Sequence, residues 1–218
     1  LSDKKDTFRN ILKQYASCNK MSYSRSLRND TKPKKMKTKR LSDQVEEILN
    51  LQVRKEAEAA QIFLSYAIWA DSEGYSGVSN LLFRHSGEER DHMMKIIQYI
   101  QNRGGKAKIT ALSAPPEDPQ NLQACLERLF QHEVDNTTAI YSIAELAQEE
   151  KDWATWNFAQ WFVKEQIEEE TLVMELLDKL KIAGGDDATD ESLLLFDSQL
   201  GAHNDEADMA RDSSVDNP

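Results

Sequence analysis

The chain has 218 residues with a net charge of −11, which allows one sizeable core and disfavours the body of the molecule as a nucleic-acid binder. Its two cysteines, Cys18 and Cys125, lie far apart in sequence; they form neither a disulfide framework nor a zinc pattern and fit a reducing, cytoplasmic compartment. No apolar run approaches the roughly 20 residues of a membrane span, and the N-terminal segment lacks the hydrophobic stretch of a secretory signal.

The charge is unevenly divided. Residues 1–40 hold 13 Lys/Arg against 3 acids, and residues 41–218 hold 14 against 35. The first segment is basic, without sustained periodicity, and reads as a disordered leader. Met21 and Met36 are candidate starts behind upstream sequence; an organelle transit peptide within residues 1–35 is the second reading and a nucleic-acid-binding tail the third. "LSDQVEE" then opens a helix, with Ser42 as N-cap and acids in the first turn. Its stripe of Val45, Leu49, Ala59, Ala60, Phe63 and Ala67 predicts a helix to about Ala70. "DSEGYSG" is a turn, and a second helix runs from about Gly77 to Arg103, closed by Gly104-Gly105.

The segment "GKAKITALSAPPEDPQ" carries a strand-like Ile109-Thr110 and three prolines, and is too long for a turn between neighbouring antiparallel helices. Helices from about Pro119 to Glu149 and from about Trp153 to Ile182 follow, separated only by "EKD", which makes them antiparallel neighbours. After "AGGDDATDES" comes a short fifth helix, "SLLLFDSQL", and then an acidic tail, residues 203–218, read as disordered. The pattern predicts an all-α four-helix bundle over residues 41–183, with one long crossover, and a linker plus short helix over 184–202. That is the layout of ferritin-like folds.

Each long helix places a polar group where its stripe should be apolar: Glu56 on the first, Glu89 and His92 on the second, Glu133 on the third, and Gln166 and Glu169 on the fourth. The spacings repeat. Glu56 to Glu89 and Glu133 to Gln166 span the same distance along the chain, so one helix pair maps onto the other, with Glu-x-x-His in the first matched by Gln-x-x-Glu in the second. Four carboxylates in a bundle interior would each cost several kcal/mol unless neutralised. Two divalent cations supply the opposite charge, and carboxylate with imidazole suits iron or manganese. A Glu from each of two helices with Glu-x-x-His from the others is the di-iron carboxylate pattern. Here the second Glu-x-x-His is altered, so the two metals are expected to be inequivalent, with His92 the sole nitrogen ligand.

At these residues the sequence resembles the non-haem bacterial ferritins. "FRHSGEERDHM", "QHEVDN" and "NFAQWFVKEQIEEE" are similar to that family's signature helices, and the likeness covers about residues 41–202. The resemblance implies that Glu56, Glu89 and His92 hold a first iron, with Glu89 bridging, and that Glu133 and Glu169 hold a second, with Gln166 close by. It implies a third iron position at Glu88, Glu165, Glu168 and Glu169. It further implies a ferroxidase and iron store that takes Fe2+ with O2 or H2O2, assembled as a 24-subunit homo-oligomeric cage, without haem, membrane or nucleic acid. A departure is Phe63, where the family usually has a tyrosine; Tyr66 and Trp161 are the nearby candidates to replace it. The rival reading is a di-iron peroxidase or oxidoreductase of the same superfamily that stores nothing.

Overall fold

The computed structural model describes residues 38–201, so the expectations for the basic leader, up to residue 37, and for the acidic tail lie outside the described residues. Five α-helices occur among them: α1 Asp43–Ser72, α2 Ser76–Asn102, α3 Leu122–Glu149, α4 Trp153–Ala183 and α5 Asp190–Gly201. The fold is all-α, as the periodicity predicts, and no strand forms among the described residues; Ile109 and Thr110 run as irregular chain. No helix among the described residues is long and apolar enough to cross a membrane.

The helix ends follow local chemistry. Ser42 caps α1, its hydroxyl accepting from the Val45 N–H at 3.0 Å. Asn121 caps α3 by accepting from Ala124 N–H at 2.8 Å, so α3 starts after the prolines rather than at Pro119. Asp152 caps α4 and follows Lys151, whose φ of 57° lets the chain reverse within three residues. Caps of this kind contribute about 0.5–2 kcal/mol each.

α1 and α2 run antiparallel: Ser79 and Ser86 of α2 donate to the carbonyls of Ala67 and Ala60. The crossover lies first along α1, where Asn50 donates to the Lys106 carbonyl and accepts from the Lys108 N–H, and Glu58 accepts from Ser113. It then meets α3, where Arg128 donates to the Glu117 carbonyl. α5 is clamped to the start of α2: the buried Asp197 carboxylate accepts from the N–H groups of Gly77 and Val78 at 2.9 and 2.8 Å. A Cβ on Gly77 would sit 2.0 Å from the Asp197 carbonyl oxygen, so only glycine permits this approach.

The core is in two parts. One cluster gathers Phe63, Tyr66, Leu82, Leu126, Leu129, Val173 and Leu176 with Phe196 and Leu200 of α5. The other gathers Val45, Leu49, Val53, Ile96, Ile140 and Phe162. Each such side chain contributes roughly 1.5–3 kcal/mol on burial. Between the two lies the layer of buried polar side chains that interrupts every stripe.

Candidate metal centre

All four long helices contribute to that layer. Glu56, Glu89, His92, Glu133, Gln166 and Glu169 are all buried. The helical repeat explains why: Glu89, His92 and Ile96 lie three or four residues apart, so whatever buries Ile96 also buries the two polar groups. The same holds for Gln166, Glu169 and Val173 on α4.

The half of the layer formed by Glu56, Glu89 and His92 is close-set, with one ligand atom from each mutually within 4.8 Å. Nδ1 of His92 is 3.5 Å from Glu89 Oε2, and its Nε2 is 3.7 Å from Glu165 Oε1. Burial drives the Glu56 carboxyl well above its ordinary range, reinforced by the facing Glu89; burial likewise raises Glu89. Burial alone would lower His92, but its contacts with Glu165 and Glu89 and the charge of Glu56 outweigh this and hold it at about 11. Oε2 of Glu56 has no hydrogen-bond partner among the described residues.

The other half is tied by amides. Gln52 donates to Glu56 Oε1 at 2.8 Å and to Asn136 Oδ1 at 2.6 Å. Gln166 donates toward Glu133 Oε2 and Thr137 Oγ1, both at 3.2 Å. Glu133 is still pushed up to about 8 by burial, with the charge of Glu169 adding to it, and its Oε1 lacks a hydrogen-bond partner. Buried acceptors without donors cost about 1–3 kcal/mol each, more when charged. A bound cation would remove that cost for the orphaned oxygens of Glu56 and Glu133.

The residues expected at a third position are divided. Glu88 lies with Glu169 and His85; Glu165 lies with Glu169 and His92. Glu168 is exposed and pairs with Lys164 at 3.4 Å; one residue before Glu169, it is turned about 100° around the helix, off the buried face. Sequence reasoning missed His85, although it stands four residues before Glu89 on the same stripe. Its ring stacks on Phe63, centroids 5.6 Å apart. Phe63 thus packs beside an imidazole, not a metal-facing phenol. Trp161 meets His92 edge-on at 5.5 Å, whereas Tyr66 sits in the apolar cluster near α5.

A helical bundle with a buried belt of carboxylates, amides and imidazole is the layout of ferritin-like carboxylate proteins, and its carboxylate and histidine groups could hold a metal. The family model described as a ferritin-like domain matches residues 46–183. A probable bacterial non-heme ferritin-like protein of Haemophilus influenzae is 36% identical over 74% of this chain and 96% of its own length. The bacterial non-heme ferritin of Staphylococcus aureus is 35% identical over 74% and 96%. An open pore ferritin from Archaeoglobus fulgidus superposes with a TM-score of 0.71 at 37% identity, over 74% of this chain and 96% of that one. The chain belongs to the ferritin family, and this likeness supports iron storage as a ferritin-like protein.

Proposed function

We propose that the protein is a ferroxidase that stores iron: it binds two Fe2+ in the buried polar layer, oxidises them with O2 or H2O2, and deposits ferric mineral inside a homo-oligomeric cage. The observation that supports this most is the meeting, from four helices, of four buried glutamates and His92, with unpartnered oxygens on Glu56 and Glu133. Glu56, Glu89 and His92 hold one Fe2+; Glu133 and Glu169 hold the other, with Glu89 between them and Gln166 alongside. Relatives named ferritins favour the cage, and its 24 subunits are proposed on the family resemblance alone.

The substrate is Fe2+, and each ion gives up one electron. Two electrons and two protons convert O2 to H2O2, or H2O2 to two waters. The protein's share is to place both ions before the oxidant arrives and to balance their charge. Cation entry displaces the protons that burial holds on Glu56 and Glu133. Glu165, facing Nε2 of His92, orients the imidazole so that Nδ1 is turned to Glu89, as carboxylates commonly do for metal-bound histidines.

Aerobic addition of Fe2+ followed by sedimentation tests both halves of the proposal. The expected result is rapid oxidation and a soluble, iron-loaded particle far heavier than the chain. Oxidation by a monomer- or dimer-sized species would favour the non-storing oxidoreductase, and oxidation no faster than in buffer would sink the ferroxidase.

A further inference from the structure

Away from the polar layer, α1, α2 and the crossover bound a cavity of about 430 Å3, and none of the proposed iron ligands lines it. Its floor follows from helical spacing. Val53, Ala57, Ala60 and Leu64 recur on one side of α1, and Ser86, Arg90 and Met93 on one side of α2. Ser86 donates to the Ala60 carbonyl at 2.8 Å, which ties the two helices together at the floor. Ala57 and Ala60 are too small to fill the space up to the crossover. That roof is a strap pinned at both ends. The Lys108 N–H donates to Asn50 Oδ1 at 2.7 Å, and Ser113 donates to Glu58 Oε1 through its N–H and its hydroxyl. Between the pins, Ile109 and Leu112 line the cavity yet remain 77% and 41% exposed.

The charges around this cavity run against those of the molecule. Residues 41–218 hold 35 acids against 14 Lys/Arg, yet the charged side chains lining it are Arg54, Arg90 and Lys108, with no acid among them. Arg54 is 3.8 Å from Glu58 Oε1, an oxygen that already accepts from Ser113. Arg90 and Lys108 are exposed and make no ion pair among the described residues. The cavity therefore offers apolar walls and a cationic mouth on an otherwise acidic body.

We infer that the cavity binds an amphipathic carboxylate, its alkyl chain lying against Val53, Ala57, Ala60, Leu64 and Met93 and its carboxylate meeting Arg90 and Lys108. The volume falls in the range of small-molecule sites, roughly 300–1,000 Å3, which pair apolar walls with a few convergent polar groups. The lining residues exclude other ligand classes. No aromatic ring of the described residues lines the cavity, so a flat, stacking ligand finds no ring to lie on. No glycine-rich loop or helix N-terminus opens onto it, so a phosphate finds no backbone cradle. No imidazole, thiol or carboxylate lines it either, so it is not a further iron position. The inference is independent of the iron chemistry proposed for the polar layer.

The test uses the full chain in its native assembly, with decanoate and decyltrimethylammonium as probes for titration calorimetry below their micelle-forming concentrations. Unspecific attraction to an acidic body favours the cation, so decanoate binding at least about tenfold tighter identifies the cavity rather than the general surface. From hexanoate to decanoate, each methylene should tighten binding by up to about fourfold. Crystals soaked in 10-bromodecanoate should show anomalous bromine density among Ala57, Ala60 and Met93. Ala57→Leu fills the cavity and should weaken decanoate at least about tenfold. Arg90→Gln alters an exposed side chain, so it guards against a packing defect in Ala57→Leu; it should weaken decanoate about three- to fivefold. Equal or tighter binding of the cation, bromine density absent from the cavity, or a decanoate affinity that neither variant alters would overturn the inference.

Discussion

The α1–α2 half and the α3–α4 half of the bundle repeat one design, yet they manage buried charge differently. In the first, Glu56 and Glu89 face each other beside His92, and burial raises both carboxyls. In the second, Glu133 is met by the Gln166 amide, itself tied to Thr137, while Asn136 links back to Gln52 of α1. The Gln166 amide gives the second half a neutral donor in place of a fourth-helix carboxylate; the first half has the Gln52 amide on one oxygen of Glu56, with two facing carboxyls and one imidazole. A glutamine in place of a carboxylate thus does two things at once. It removes a charge that a second metal would use, and it supplies a donor that holds Glu133 ready.

The largest expected effect comes from breaking the first half. Glu89→Gln removes the carboxylate proposed to lie between the two iron positions, and should slow Fe2+ oxidation by about a hundredfold or more, since even groups that merely orient ligands are worth 10–100-fold. Stopped-flow absorbance during aerobic Fe2+ addition measures it; a rate within twofold of the unaltered protein would show that the first half is not where oxidation occurs. The same substitution removes a buried carboxylate, so the metal-free protein should melt at a higher temperature.

The second half should respond with the opposite sign. Gln166→Leu keeps roughly the volume but leaves Glu133 and Thr137 without the amide. Losing donors to buried acceptors costs about 1–3 kcal/mol, so calorimetry of the metal-free protein should show a lower melting temperature. If both variants shift Tm the same way, the contrast between the halves is wrong. Oxidation in Gln166→Leu should fall less than in Glu89→Gln, because the proposed site has Gln166 beside the ions and Glu89 between them.

Much of this was legible beforehand. The four long helices, the crossover and α5 follow from periodicity and punctuation, because an apolar stripe at helical spacing has few other uses. The polar layer was legible as a set of errors on those stripes, and the equal spacing from Glu56 to Glu89 and from Glu133 to Gln166 made the errors systematic. His85 escaped because histidine on an apolar stripe has an ordinary structural explanation, and its partner Glu169 is on another helix. Glu168 entered only through the family resemblance, one turn from Glu165; its exposed place on α4 beside Lys164 is something the spacing alone did not give. The Asp197 clamp on α2 was invisible for the same reason as His85: it joins residues some 120 positions apart, and no local pattern records that.

The smallest expected effect distinguishes the metal-free protein from the loaded one by pH. Burial pushes the Glu133 carboxyl up to about 8 in the folded chain, from an ordinary 4.5. A carboxyl whose folded value is raised contributes stability that is complete below its unfolded value and is lost as pH climbs through the folded one. His92, held at about 11 against 6.5, follows the same rule, with its loss beginning above 6.5. Metal-free protein should therefore melt a few degrees lower at pH 8 than at pH 5.5, in line with ~4 °C per kcal/mol or less for a chain of this size. Zn2+ reverses the slope, because bound metal requires these groups deprotonated and its stabilisation grows with pH. Glu133→Gln should flatten the metal-free slope without abolishing the rise with Zn2+, since Glu56, Glu89 and His92 still take an ion. A metal-free Tm that climbs from pH 5.5 to 8 would mean that Glu133 is already ionised and balanced within the folded bundle. The Gln166 amide, not a proton, would then be what keeps the second half together.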